Sequence, residues 1–410
     1  MPRRRKPLAE DSAASYAPVL GTALRATTSS VQAMHQAIAG KTFDSLQLVP
    51  GLSVPTRIVQ GVHDAISQGV YAAVRHGGGA AFALAAGIER LTTDASREPK
   101  GKELSVRSAL NGVMGDRLAA SGSALAVQMG LFADGQPLVV SSAALAHLPK
   151  RVCLFIHGLA CDEQSWTLRS DAWGASPWAS RLPLGEPVRY GALLHEELGI
   201  GSIYLRYNTG LAIDDNAQQL AALLAGLARA APQVKQWLLV GHSMGGLVAR
   251  AALEYGRAEG QAWTARAPML ICLGSPHQGA ALEKIGHVAS LALGVSKVTQ
   301  PLGRIANARS QGVKDLRHGL MGRGAPRALP PALALRFVSA TLGDATDSVM
   351  GPMIGKLFGD GLVRASSASD EGLGGDVQRV EIKGIGHMAL LNHPRVYAVL
   401  REWLGAPALA

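Results

Sequence analysis

Aromatic side chains are scarce in these 410 residues: Phe, Tyr and Trp make up 5%. All six tryptophans lie beyond residue 150 (Trp166, Trp173, Trp178, Trp237, Trp263 and Trp403), so the first 150 residues are a different material from the last 260. Cysteine is scarcer still. Cys153, Cys161 and Cys272 are odd in number and show no C-x-x-C spacing, which argues against a disulfide framework and a structural zinc site and favours a reducing compartment. Long apolar runs are missing as well. The longest, Gly77 to Ile88, is Gly/Ala-rich and spans twelve residues, well short of the roughly 20 a membrane-crossing helix needs. The basic start Arg3-Arg4-Arg5-Lys6 is followed by Pro7, Glu10 and Asp11 instead of an apolar stretch, so no export signal is expected. A cytoplasmic protein follows, with peripheral membrane association left open by the basic cluster.

The net charge of +10 is not concentrated either. Residues 1–150 hold fifteen Lys/Arg against ten Asp/Glu, and residues 151–410 hold 25 against 20. Without a basic stripe and interleaved aromatics, nucleic acid is not an expected partner. What is abundant is apolar residues, 48%, and glycine, 48 residues. This chain can bury a large core and turn tightly.

The organisation reads in three parts. Residues 1–55 are polar, Ala/Ser/Thr-rich and broken by Pro18, Pro50 and Pro55, so partial disorder is expected. Residues 56–136 show helical spacing: Ile58, Val62, Ile66, Val70 and Val74 recur every four residues, a second helix runs from Ala80 to Leu91, and a third is expected over 106–132 after a loop at 93–102. A small helical region, or an amphipathic hairpin at a lipid surface, would account for this pattern. From residue 137 short apolar runs alternate with helical segments. A strand is expected at 137–141, then RVCLFI (151–156), SIYLRY (202–207), WLLV (237–240), MLICL (269–273), LRFVSA (335–340) and VQRVEI (377–382), with helices over 212–231 and 247–256. Continuous apolar strands between helices make an α/β fold with a mostly parallel sheet covered on both faces, whose chemistry sits at the carboxyl ends of the strands.

The loops after those strands hold the candidate residues. WLLV leads into Gly241-His242-Ser243-Met244-Gly245-Gly246, a G-x-S-x-G pattern between a strand and a helix. A turn that sharp forces the serine into strained φ/ψ and lifts its hydroxyl above the sheet at the positive end of a helix. Such a hydroxyl needs a base. VQRVEI runs into Gly384-Ile385-Gly386-His387, which offers His387 in an exposed loop. The competing histidines fit less well: His393 precedes Pro394 as a helix cap, His287 and His318 lie in an insertion, and His277 borders the site. The base in turn needs a carboxylate. Asp360, in Gly359-Asp360-Gly361-Leu362-Val363, is the first candidate, with Asp344 and Asp347 as rivals nearer the strand. Two N–H donors for an oxyanion are expected from Met244 and from Leu159, in the loop His157-Gly158-Leu159-Ala160 after RVCLFI. Gly158 lets that loop approach the serine, and His157 is read as a loop-fixing residue at the substrate site.

In these residues the chain resembles the α/β-hydrolase superfamily, and within it bacterial lipases and esterases and the GPI inositol-deacylase-like group. HGLA at 157–160, GHSMGG at 241–246, LGSPHQGA at 273–280, GDGLV at 359–363 and GIGHM at 384–388 carry the resemblance, which covers roughly residues 137–404. It implies a Ser-Asp-His hydrolase of carboxylic esters with no cofactor and no metal, in which Ser243 is nucleophile, Asp360 acid, His387 base and Leu159 and Met244 the oxyanion amides. The catalytic domain is then 137–410. About 60 residues between MLICL and LRFVSA (276–335) form a helical lid-like insertion. Its stripe, including Ile285 and Ala289, either packs on the core or lines an acyl pocket, and Trp166, Trp173 and Trp178 either add apolar wall or simply pack. The expected partner is a small-molecule or lipid ester. Acyl transfer with the same triad, and a non-catalytic lipid-binding or scaffold role, are the alternatives.

Overall fold

The computed structural model describes residues 99–168, 170–174, 176–183, 186–279, 310–319, 329–330, 332–341 and 375–405, together with Gln32, Gln36, Gln60 and Asp64. The chain divides into two compact units. One takes residues 1–98, 120–125 and 297–308; the other takes 99–119, 126–296 and 309–410. In the first, Gln32, Gln36, Gln60 and Asp64 are each helical, so two of the described positions fall within the helix expected from residue 56.

The second unit is built on an eight-stranded sheet: β1 (Gly130–Ala133), β2 (Gln136–Leu138), β3 (Arg151–Ile156), β4 (Gly201–Arg206), β5 (Gln236–His242), β6 (Met269–Leu273), β7 (Ala334–Thr341) and β8 (Val377–Lys383), in the order β2-β1-β4-β3-β5-β6-β7-β8. All strands from β3 to β8 pair in parallel; β1 runs antiparallel to β4 and forms a hairpin with β2. The helices are α1 (Gly101–Ala120), α2 (Ser142–Leu145), α3 (Tyr190–Leu198), α4 (Ile213–Ala230), α5 (Met244–Ala258), α6 (Gln311–His318) and α7 (Pro394–Gly405).

Period-two alternation divides each central strand between two cores. Leu154 and Ile156 of β3, Trp237 and Leu239 of β5, and Leu270 and Cys272 of β6 join α4 and α5 on one face. Cys153 and Phe155, Leu238 and Val240, and Ile271 and Leu273 join α3 and α7 on the other. That double burial is why these strands read as unbroken apolar runs, and each fully buried large side chain contributes about 1.5–3 kcal/mol. Trp166 and Trp173 are 1% exposed. They lie within aromatic contact of Tyr190, and Trp173 also meets Trp178 and Tyr397, so Trp166 and Trp173 pack the core instead of lining a pocket wall.

The front of this unit differs from the expectation. The third helix runs over Gly101–Ala120, not 106–132, and takes in the end of the stretch read as a loop. Gly122, at φ 64, follows its end. Beyond it, Leu131 and Phe132 point to opposite cores as a strand requires. The sheet and its compact unit therefore begin before residue 137, and helix α1 belongs with them. The strand expected at 137–141 is the shorter β2, followed by a Ser141 cap whose hydroxyl accepts from the Ala144 amide. Most of the 276–335 insertion lies outside the described residues; its described part includes helix α6. No helix among the described residues is long and apolar enough to cross a membrane.

Candidate active site

Strand β5 ends at His242 and helix α5 begins at Met244, leaving Ser243 alone between them at φ 52, ψ −123. Such a backbone conformation is costly for a residue with a Cβ and persists only where the surroundings over-determine it. The surroundings here are backbone. A Cβ on Gly245 would overlap the carbonyl oxygens of Ile156 and His157, and one on Gly241 would overlap the Gly245–Gly246 backbone. Only glycine lets the turn fold back this tightly. The Ser243 amide is pinned by the Leu273 carbonyl at 2.8 Å, tying the turn to the end of β6. Ser243 is 6% exposed and occupies the N-cap position at the positive end of a fifteen-residue helix, with its hydroxyl making no capping bond.

His387 reaches the same place from β8. It opens a 3₁₀ turn, His387–Leu391, just past the strand end. Its ring lies against Gly274, the residue after Leu273: a Cβ there would stand 3.0 Å from His387 Nδ1. The ring centroid is 4.7 Å from that of His242, Ser243's neighbour. His242 Nε2 lies 3.2 Å from the His387 carbonyl oxygen. Since a carbonyl only accepts, the His242 proton is on Nε2, and Nδ1 is bare beside Gly158. Burial, and then the neighbouring His387, hold His242 well below the usual histidine range. It is a neutral strut under the His387 turn.

The oxyanion-loop candidates lie on the opposite flank. A Cβ on Gly158 would stand 2.9 Å from Ser243 Cβ. His157 is fully buried, stacks on Tyr207 with centroids 4.6 Å apart, and has its Nδ1 3.0 Å from the Gly158 carbonyl. Burial lowers its pKa to about 4, so it is neutral and unsuited to act as base. Tyr207 donates its hydroxyl to the His157 carbonyl at 2.8 Å. Ala160 adopts φ 60 and donates its amide to Thr209 Oγ1 at 3.1 Å. Among the described residues, the amides of Leu159 and Met244 donate to no backbone or side-chain acceptor. Cys161 is no rival nucleophile: burial pushes its thiol up to about 12. Beyond it, Asp162 caps a 3₁₀ turn through the Gln164 amide, and Glu163 meets Arg206 in a two-pronged buried pair at 2.6 and 2.8 Å.

Of the residues singled out in the sequence, Ser243, Met244, His387, His157, Gly158 and Leu159 come together at the carboxyl ends of β3, β5 and β8. Asp360, its rivals Asp344 and Asp347, and the pocket candidates Ile285 and Ala289 lie outside the described residues. His393 is a cap, accepting the Arg395 amide on Nδ1 at 3.2 Å. His277 accepts from Arg250 at 3.4 Å and packs on Phe337. The sequence reading missed His242, Tyr207 and Thr209. A histidine inside the G-x-S-x-G pattern was visible, but Tyr207 and Thr209 act from a loop some 50 residues away in sequence.

The alpha/beta domain family called PGAP1-like matches residues 204–318. No curated protein matches the chain. Solved structures that resemble it include the mature lipase BlEst2 of Bacillus licheniformis, 17% identical, covering 63% of this chain and 94% of that one at a TM-score of 0.42. They also include a lipase-esterase related protein of Clostridium acetobutylicum, 12% identical over 63% and 94% at 0.37, and the carboxylesterase CesB of Bacillus subtilis, 12% identical over 64% and 85% at 0.36. A mostly parallel eight-stranded sheet, a serine elbow between its fifth strand and the following helix, and a family match over residues 204–318 give the described part of the chain an α/β-hydrolase-like fold.

Proposed function

We propose that the protein is a serine hydrolase of carboxylic esters, an esterase or lipase. The observation that carries this reading is Ser243 at φ 52, ψ −123, with His387 beside the elbow and two amides, Leu159 and Met244, that meet no acceptor among the described residues. In the proposed reaction Ser243 Oγ attacks the ester carbonyl carbon while His387 takes its proton. The carbonyl oxygen becomes an oxyanion held by the Leu159 and Met244 amides. The intermediate collapses, and the C–O bond to the alcohol breaks as His387 returns the proton to the leaving oxygen. Water then attacks the acyl carbon while His387 takes its proton; the C–Oγ bond breaks as His387 passes that proton to Ser243 Oγ, and the carboxylic acid leaves. Asp360 is the proposed carboxylate that orients His387. Ile285 and Ala289 are proposed to face the substrate side, and Gly158 to bring the loop that His157 fixes from within close to Ser243.

The test is labelling by a fluorophosphonate together with hydrolysis of p-nitrophenyl esters of graded chain length. Ser243→Ala should abolish labelling and lower kcat by on the order of 10⁶; an unlabelled, inactive wild type would overturn the reading. Asp360→Asn should cost about 10⁴ in kcat, and a near-normal rate with a crippled Asp344→Asn would move the acid to Asp344.

A further inference from the structure

Helix α1 lies outside the segments that carry the serine chemistry, yet its glycines press backbone against the loop that follows β3. A Cβ on Gly112 would stand 2.8 Å from Ala160 Cβ and 3.0 Å from Ala160 Cα. Past a kink at Met114 (φ −145, ψ 24), a Cβ on Gly115 would overlap the Asn208 side chain, whose Nδ2 donates to the Gly115 carbonyl at 2.9 Å. Asn208 Oδ1 accepts from the Gly210 amide at 3.0 Å, and a Cβ on Gly210 would overlap the Asn111 carbonyl. From the far side, Ser310 donates to the Gly112 carbonyl at 2.7 Å. So α1 grips both the Ala160 loop and the turn after β4 that supplies Thr209. Ala160 needs that grip. It is a non-glycine residue at φ 60, a conformation its own chain does not favour. It is held between the Gly112 face and the Thr209 hydroxyl that receives its amide.

We propose that Gly112 and Thr209 are positioning residues for ester hydrolysis: α1, through Gly112, and the turn after β4, through Thr209, clamp Ala160 in its left-handed conformation and so aim the adjacent Leu159 amide at the oxyanion. The inference rests on the proposed hydrolase reading for its consequence in rate, not for its mechanics. A Cβ at 112 displaces Ala160 by a few tenths of an ångström or more, enough to misplace a donor whose distance to the oxyanion decides its worth.

The test uses the full chain. Gly112→Ala should lower kcat about 100-fold with KM changed less than threefold, and Gly112→Ala/Ala160→Gly, which removes the opposing methyl and frees the backbone at 160, should regain at least tenfold of the loss. Thr209→Val should lower kcat about tenfold, while Thr209→Ser, which keeps the hydroxyl, should stay within twofold of wild type. Folded Gly112→Ala and Thr209→Val variants with wild-type kcat would overturn the proposal, as would equal losses in the two Thr209 variants. Amide hydrogen exchange of 158–161 gives a readout that does not depend on catalysis. Exchange at Ala160 should quicken at least tenfold in Thr209→Val and Gly112→Ala, and unchanged exchange would overturn the clamp. An inactive wild type with this exchange pattern intact would sink the hydrolase reading while leaving the clamp standing.

Discussion

Among the described residues, two loops hold a buried non-glycine residue in the left-handed region, and they do so by opposite means. At the elbow, Ser243 is held by its own neighbourhood: Gly241 and Gly245 fold the chain back on itself and on the ends of β3 and β6. At the loop after β3, Ala160 is held from a distance, by Thr209, 49 residues away, and by Gly112 on a helix that precedes the first strand. Strain of one kind is thus stabilised locally in one place and by tertiary contact in the other. Strain held locally can be read from a short pattern. The other kind shows only once the chain has folded.

The sharpest way to break the comparison is Gly245→Ala. The added methyl meets two backbone carbonyl oxygens, Ile156 and His157, which cannot swing aside as a flexible side chain would. The expected outcome is a kcat loss on the order of 10⁴, second only to removal of the proposed nucleophile Ser243, and no second-site side-chain change should restore it. Ester turnover and fluorophosphonate labelling check this. The clash at Gly112 is partly with a methyl, so there a compensating change should work. If Gly245→Ala proved as reparable as Gly112→Ala, the distinction between the two loops would fall.

The same contrast explains what could be read before the structure. Strands β3 to β7 were legible because burial on both faces makes them largely apolar runs, and RVCLFI and MLICL fall on their strands residue for residue; β8, at the sheet edge, is mostly exposed. Ser243 and His387 were legible because glycine spacing at a strand end is a local signal. Helix α1 was drawn too far because the turn at Gly122 was read as a weak point inside the helix and not as its end; the weakening expected at Gly112 and Gly115 is there as a kink at Met114 (φ −145, ψ 24), and their missing side chains are what the Ala160 loop and Asn208 pack against. The strand at Gly130–Ala133 was absorbed into that helix because four residues are too few for period two to compete with period 3.6.

A third residue sharpens the tertiary side of the comparison with an effect on stability. Past Ala160, Glu163 is 6% exposed and Arg206 8%. The Arg206 guanidinium also lies 3.9 Å over the Phe132 ring. Glu163→Ala strips the carboxylate from a buried cation and should cost about 3–5 kcal/mol in urea unfolding. Replacing both residues by methionine should recover most of that loss, since the cost of an unpaired buried charge disappears with the charge. If the single variant matched wild type, the pair would not anchor the loop.

The smallest effect concerns pH, and it sets two residues of this one loop against each other. Burial, with Glu163 nearby, raises the Asp162 carboxyl from 3.8 to about 6. Between those values the folded chain holds a proton that the unfolded chain has released, so this group's contribution is present at low pH and is lost as pH rises toward 6. Burial lowers His157 from 6.5 to about 4. Between those values the unfolded chain takes a proton that the folded chain refuses, so this contribution grows as pH rises toward 6.5. His242 and His277, also held low by burial, act in the same sense as His157. From pH 4 to 6 Asp162 therefore offsets part of the histidine slope. Asp162→Asn removes the opposing group, and its stability should climb more steeply than wild type over that window, by roughly 2–3 kcal/mol in all. Urea midpoints at pH 4, 5 and 6 measure the slope directly. Parallel profiles for the two proteins would mean that Asp162 is already ionised in the folded loop at pH 5, and that its cap to the Gln164 amide outweighs its burial.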